Sequence, residues 1–174
     1  MANISGVKQN VGLVRNSYRK FLSMGEGAKA DDFRMLIEGY PDIEFLIQAT
    51  QIPPVQREPV EGYGPHGVQF TQQGRFKNYQ EVAITYKEVI TGKVYKCLRE
   101  CVREKKYLRI TLALISESEP IAKQHTSWVF EDAWLTLEGA DLDVENNTLI
   151  KPSGTIHANW VTPVDPENHA IGWE

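Results

Sequence analysis

Residues 107–160 read as consecutive strands with a two-residue period, and this is what most limits how the chain can fold. The segments YLRITLALI (107–115), SWVFEDAWLTL (127–137) and TIHANWV (155–161) alternate apolar and polar positions as a half-buried sheet does. No compact set of nucleophile, base and acid is spaced among them. Such a chain spends its residues on surfaces, which favours a structural or assembling protein over an enzyme.

At 174 residues the chain can bury one substantial core, and a second domain is not expected. No apolar run approaches the roughly 20 residues that cross a bilayer, so membrane insertion is not expected. The start, MANISGVKQN, lacks the apolar core of a secretory signal, and synthesis and assembly in the cytoplasm are expected.

Residues 1–31 are polar and glycine-punctuated, with one short apolar pattern at Val11, Val14, Tyr18, Phe21 and Leu22. They form an N-terminal arm with some helix, too short to be stable without something to dock on. Residues 33–38 and 43–50 are two strand-like runs around Gly39, Tyr40, Pro41 and Asp42, and that punctuation predicts an antiparallel hairpin. Ile52-Pro53-Pro54 stops the second run.

Residues 55–76 alternate weakly, carry Pro59 and Pro65 and four glycines, and hold Val60, Tyr63, Val68 and Phe70 as isolated apolar positions. Two strands with mostly polar faces gain little from a monomer core. The segment is either a loop or a projecting hairpin that completes itself against another subunit. Alternation resumes over 79–89. Residues 93–105 then carry the one clear helical period, with a stripe of Val94, Leu98, Cys101 and Val102 and an outward face of Lys93, Lys96, Arg99, Glu100 and Arg103. The order predicts a mainly β fold: a small antiparallel barrel or sandwich with one covering helix, a projecting hairpin and the arm. The barrel domain is expected over 32–163 and a patternless tail over 164–174.

Cys97 and Cys101 lie one helical turn apart and read as buried structural thiols. His66, His125, His157 and His169 are scattered singly, so no metal site is expected. Asp141, Asp143 and Glu145 suggest a calcium loop but lack its central glycine and distal glutamate, and read as an acidic turn. No phosphate-binding or nucleophile motif is present, and no cofactor is expected. The basic residues between Lys93 and Arg109 alternate with Glu100 and Glu104 without an aromatic platform, which speaks against tight nucleic-acid binding.

Charge is divided along the chain. Residues 1–115 hold 17 Lys and Arg against 12 Asp and Glu, and residues 116–174 hold 2 against 11, a split of +5 and −9. It is either a solvated acidic surface or complementarity between copies in a head-to-tail contact.

The strand runs of 33–50 closed by Ile52-Pro53-Pro54, the polar hairpin, the strand of 82–89, the helix from Lys93 and the blocks Ile110-Thr111-Leu112, WVFEDAWL (128–135) and TIHANW (155–160) together resemble a tail tube protein of a contractile-tailed bacteriophage. The resemblance covers residues 32–163 and extends to the tube proteins of type VI secretion and pyocins. It implies a barrel subunit that closes into hexameric rings, stacked as a tube that conducts the genome during contraction. It also implies a virion location, no catalytic residues, and tail sheath, baseplate hub, tail terminator and tape measure proteins as partners, with DNA passing through the lumen without sequence-specific binding. The arm, the hairpin of 55–76 and the loop of 116–126 match the assembly elements. The expected interface residues are Val60, Tyr63, Val68, Phe70, Lys93, Lys96 and Arg99. The long arm and the Pro166-containing tail leave a tube-initiating baseplate protein of the same fold as an alternative, and a small ligand-binding barrel is another.

Overall fold

The computed structural model describes residues 11–25, 27–115, 126–143, 145 and 147–164. The first ten residues of the arm, the loop of 116–125 and the tail from 165 lie outside the described residues. The chain divides into two compact units, Met1–Asp31 and Asp32–Glu174. The first contains helix α1 (Val11–Ser23), none of whose residues is buried.

The second unit is built from β1 (Phe33–Ile37), a 3-10 helix (Pro41–Leu46), β2 (Ile47–Thr50), β3 (Arg57–Tyr63), β4 (Gln69–Phe76), β5 (Gln80–Tyr86), α2 (Lys93–Arg103), β6 (Leu108–Leu114), β7 (Ser127–Leu137), β8 (Ser153–Ala158) and β9 (Trp160–Val164). Seven of these strands form one antiparallel sheet in the order β1-β6-β7-β8-β5-β2, with β9 also paired to β7, and the sheet curls into a nearly closed barrel. Among the described residues, β3 and β4 pair only with each other.

The long strand β7 organises the barrel. On one side it pairs with β6; on the other, one register runs from Leu137↔Gly154 through Trp134↔His157 into Glu131↔Trp160 and Ser127↔Val164. Where β6 steps from Ile110↔Phe130 to Leu108↔Ala133, β7 carries an extra residue. Asp132 takes it up at φ +48°, a left-handed conformation that Asp tolerates better than most residues. The bulge resets the inward parity of the strand: Phe130 points into the core, then Ala133 and Leu135. Trp134 is thereby turned outward.

Inside lie Met35, Ile37, Val82, Ile84, Tyr86, Ile110, Leu112, Phe130, Leu135 and Ile156, covered on one side by α2 through Val94, Cys97, Leu98 and Cys101. Each fully buried large aliphatic contributes about 1.5–3 kcal/mol relative to exposure. α2 begins after Gly92, which has φ +68° and provides no side-chain cap. Glu88 takes that role from outside the helix: its carboxylate accepts the backbone N–H groups of Val94 at 3.1 Å and Tyr95 at 2.9 Å, satisfying two orphan donors at the positive end of the helix dipole.

Two local expectations are corrected. Residues 33–50 are no hairpin, because β1 pairs with β6 and β2 with β5, and Pro41 opens a 3-10 helix between them. The helix stripe leaves Val102 about half exposed, since Val102 falls at the rim of the arc formed by Val94, Cys97, Leu98 and Cys101. Both thiols are free and buried.

Candidate assembly surfaces

The hairpin of β3 and β4 turns through Pro65–Gly67, where His66 and Gly67 both have positive φ. Val60, Tyr63, Val68 and Phe70 are all exposed, at 51, 71, 63 and 46%. Val60 and Phe70 share a face with Gly62 and Gly74. Phe70 pairs with Gly62 across the ladder and lies flat on it: a Cβ there would meet the ring at 2.5 Å. On that face the ring covers bare backbone, and the hairpin offers a thin, partly apolar ribbon.

Its root is firmly tied to the barrel. The Lys77 N–H donates to the Gln56 carbonyl at 3.1 Å, and the Asn78 amide donates to the Asn159 carbonyl at 3.0 Å. Gln80, almost fully buried, donates to the Lys77 carbonyl at 2.7 Å. The Phe76 and Trp160 rings meet at 6.2 Å. A narrow crevice of about 40 Å³ lies there between Pro53, Pro54, Trp128 and Pro163. The hairpin therefore leaves the barrel as a braced projection.

The basic residues of α2 have different surroundings. Lys93 is paired with Asp42 at 2.5 Å, Arg99 lies 5.8 Å from the Tyr95 ring centre, and Lys96 is exposed. Lys106 bonds Glu100, Glu104 at 3.0 Å and the Tyr40 hydroxyl at 3.0 Å, joining the 3-10 helix to the end of α2. The Lys106 hydrogen bond, then that of Tyr40, hold the Glu100 carboxyl below its ordinary range. Much of the basic stretch is thus engaged within the subunit. Two sites do not come together: the hairpin residues lie on β3, β4 and their turn, and Lys93, Lys96 and Arg99 lie on α2.

Sequence reasoning missed an outward row across β5, β8 and β7. Glu81, His157 and Trp134 are ladder neighbours, His157 stacks on Trp134 at 3.9 Å, and the Tyr79 hydroxyl bridges the His157 Nδ1 at 2.5 Å and Glu81 at 2.9 Å. Trp134 is 38% exposed, so it belongs to this surface and not to the core, and His157 is half-buried and packed. The parity reset at Asp132 is the signal that could have found the row.

A second missed feature is the connection between β7 and β8. Residues 139–143 and 148–151 enclose an open concavity of about 750 Å³ whose apolar lining, Leu142, Leu149 and Ile150, is exposed. Asp141 and Asp143 lie in the same wall. The Asp143 carboxylate accepts the Glu145 N–H at 2.9 Å, the local bond of a turn.

No family model and no curated protein matches this sequence. Among solved structures, the fold is similar to the anti-feeding prophage cap, the AFP tube terminating cap, at TM-score 0.63 and 17% identity over 80% of this chain and 92% of that one. It is similar to a chain of the PVC sheath-tube complex of an extracellular contractile injection system in the extended state, at TM-score 0.64 and 12% identity over 87% and 97%. It is likewise similar to a chain of the PVC sheath/tube terminator in the extended state, at TM-score 0.64 and 15% identity over 79% and 96%. The chain therefore has the fold found in tube and tube-terminating assemblies of contractile injection systems.

Proposed function

We propose that this protein is a structural tube subunit of a contractile injection machine, six copies closing into a ring and rings stacking into the conduit through which a phage-like tail passes its genome. The observation that carries this reading is the β3–β4 hairpin. It is braced at its root, pairs only with itself among the described residues and presents Val60, Tyr63, Val68 and Phe70 to solvent. Side chains of that kind on a two-stranded ribbon gain stability only against a further surface. Ring neighbours provide one, and the shared fold with tube assemblies supports the choice.

On this reading the work is geometric, the sheath encloses the tube, and baseplate and terminator proteins bound its ends. An acidic lumen would repel DNA phosphates and keep the passage non-adhesive. The test is negative-stain microscopy of the purified chain beside a variant lacking residues 62–74. The parent should form rings or tubes, and the variant a folded monomer; a shortened chain that polymerises like the parent, or a parent that forms neither, overturns the proposal.

A further inference from the structure

Helix α1 is amphipathic, and none of its residues is buried. Val11, Val14, Tyr18, Phe21 and Leu22 recur at spacings of three, four, three and one, which gathers them on one stripe of the helix, and all are exposed. Arg15 and Arg19, one turn apart, flank that stripe on the same side, and α1 contains no acidic residue. Thirteen residues make a helix of roughly 20 Å that is marginal on its own in water. It needs a partner that is apolar at its centre and acidic at its rim.

The connection between β7 and β8 has that chemistry. Its concavity is lined by Ala140, Leu142, Leu149 and Ile150, with Asp141 and Asp143 in the wall against the single cation Lys151. Leu142 is 79% and Leu149 59% exposed. One chain thus carries a basic apolar helix and an acidic apolar concavity. Two unlike, complementary patches on identical subunits generate a heterologous contact that propagates from copy to copy.

We infer that α1 of one copy docks in the concavity of residues 139–143 and 148–151 of a second copy, with Tyr18, Phe21 and Leu22 against Leu142, Leu149 and Ile150, and Arg15 and Arg19 against Asp141 and Asp143. The inference rests on the self-assembly reading above and supplies it with a contact separate from the hairpin. The docked helix gains its order from binding, and the charges set register and partner choice more than raw affinity.

The experiment uses full-length chains and charge reversal. R15E/R19E alone and D141K/D143K alone should each associate on the order of tenfold more weakly than the parent at low salt, measured by sedimentation, because like charges then face each other. Mixing the two variants should restore association, since every helix then finds a concavity of opposite sign on the other variant. Circular dichroism of each variant checks that the barrel is folded; the substituted positions are exposed and outside its core.

Failure to restore on mixing, with both variants folded, overturns the inference, and so does docking within one chain, which mixing cannot rescue. Unchanged association of the single variants overturns it as well. The outcomes separate it from the tube reading: rings that ignore these charges remove this contact and leave the ring, whereas charge-dependent open chains without rings remove the tube and leave this contact. A parent with no self-association removes both.

Discussion

Gly154 is the second residue of β8, paired to Leu137 of β7 on one side and Ile84 of β5 on the other, and an added Cβ there would stand 2.2 Å from the Thr136 carbonyl oxygen. That obstacle is backbone, held in the ladder, so Gly154→Ala must separate β7 from β8 locally. The separation also strains the bonds of the Thr136 hydroxyl to the Thr155 N–H at 3.2 Å and carbonyl at 3.3 Å. Overpacking a well-packed interior costs about 1–3 kcal/mol, and each weakened hydrogen bond adds about 0.5–1.5 kcal/mol. Replacing glycine stiffens the unfolded chain and returns about 0.4–1 kcal/mol. The net is a destabilisation of about 1–5 kcal/mol, or roughly 2–20 °C in Tm for a chain of this size.

Gly62→Ala is the matched control. The atoms nearest its Cβ would be those of the Phe70 ring, the far end of a half-exposed side chain on the hairpin, and the barrel melt should move by less than about 1 kcal/mol. Thermal unfolding of both variants by circular dichroism, at concentrations where the parent is monomeric, reads the difference. Equal melts for Gly154→Ala and Gly62→Ala would refute the β7–β8 register from which the cost is derived.

Tyr86→Phe should stabilise the subunit by about 1–3 kcal/mol in urea unfolding, because the Tyr86 hydroxyl is fully buried with no hydrogen-bond partner among the described residues; a loss of stability would reveal a partner. Glu88→Ala should cost about 0.5–2 kcal/mol by removing the cap of α2, read as a lower urea midpoint. Glu100→Gln tests the Lys106 and Tyr40 bonds. A carboxyl whose pKa is lower folded than unfolded stabilises above its unfolded value, about 4.3, and loses that contribution as pH falls through the folded value, so the variant should show a shallower loss of stability on acidification below that point. Leu112→Ala should cost about 2–5 kcal/mol, and Trp134→Ala clearly less, because Trp134 is partly exposed on the outer face; equal costs would mean that Trp134 is a core residue.

What could be read from the sequence was local. The period of two in β5, β6 and β8, the helical period of α2 and the polar, proline-limited pattern of β3 and β4 each lie within a few residues of chain, where side-chain alternation follows directly from backbone geometry. Partner choice does not. Phe33–Ile37 pairs with β6, about 75 residues away, and the glycine and proline at 39–41 serve a 3-10 helix as well as a hairpin turn. The cap from Glu88 was equally hidden, because it reaches α2 across a glycine turn from outside the helix.

The outward turn of Trp134 is the feature hardest to read from the sequence, and its cause is specific. Counting alternate residues from Phe130 puts 132, 134 and 136 inside, and the bulk of a tryptophan encourages that count. One extra residue at Asp132 shifts the inward set to Ala133 and Leu135 and exposes a row formed by Trp134, His157, Tyr79 and Glu81. An Asp in the left-handed region is what lets the strand absorb that residue, so the surface presented by β5, β8 and β7 depends on a backbone angle far more than on hydropathy. Replacing Asp132 with a β-branched residue such as valine would strain that angle and press the strand back towards regular pairing. Asp132→Gly, which accepts positive φ without cost, should keep the row; Asp132→Val should lower the melt by about 1–3 kcal/mol and alter the Trp134 fluorescence that reports stacking on His157. A valine variant with the parent's melt and spectrum would mean that the strand does not need the bulge to turn Trp134 outward.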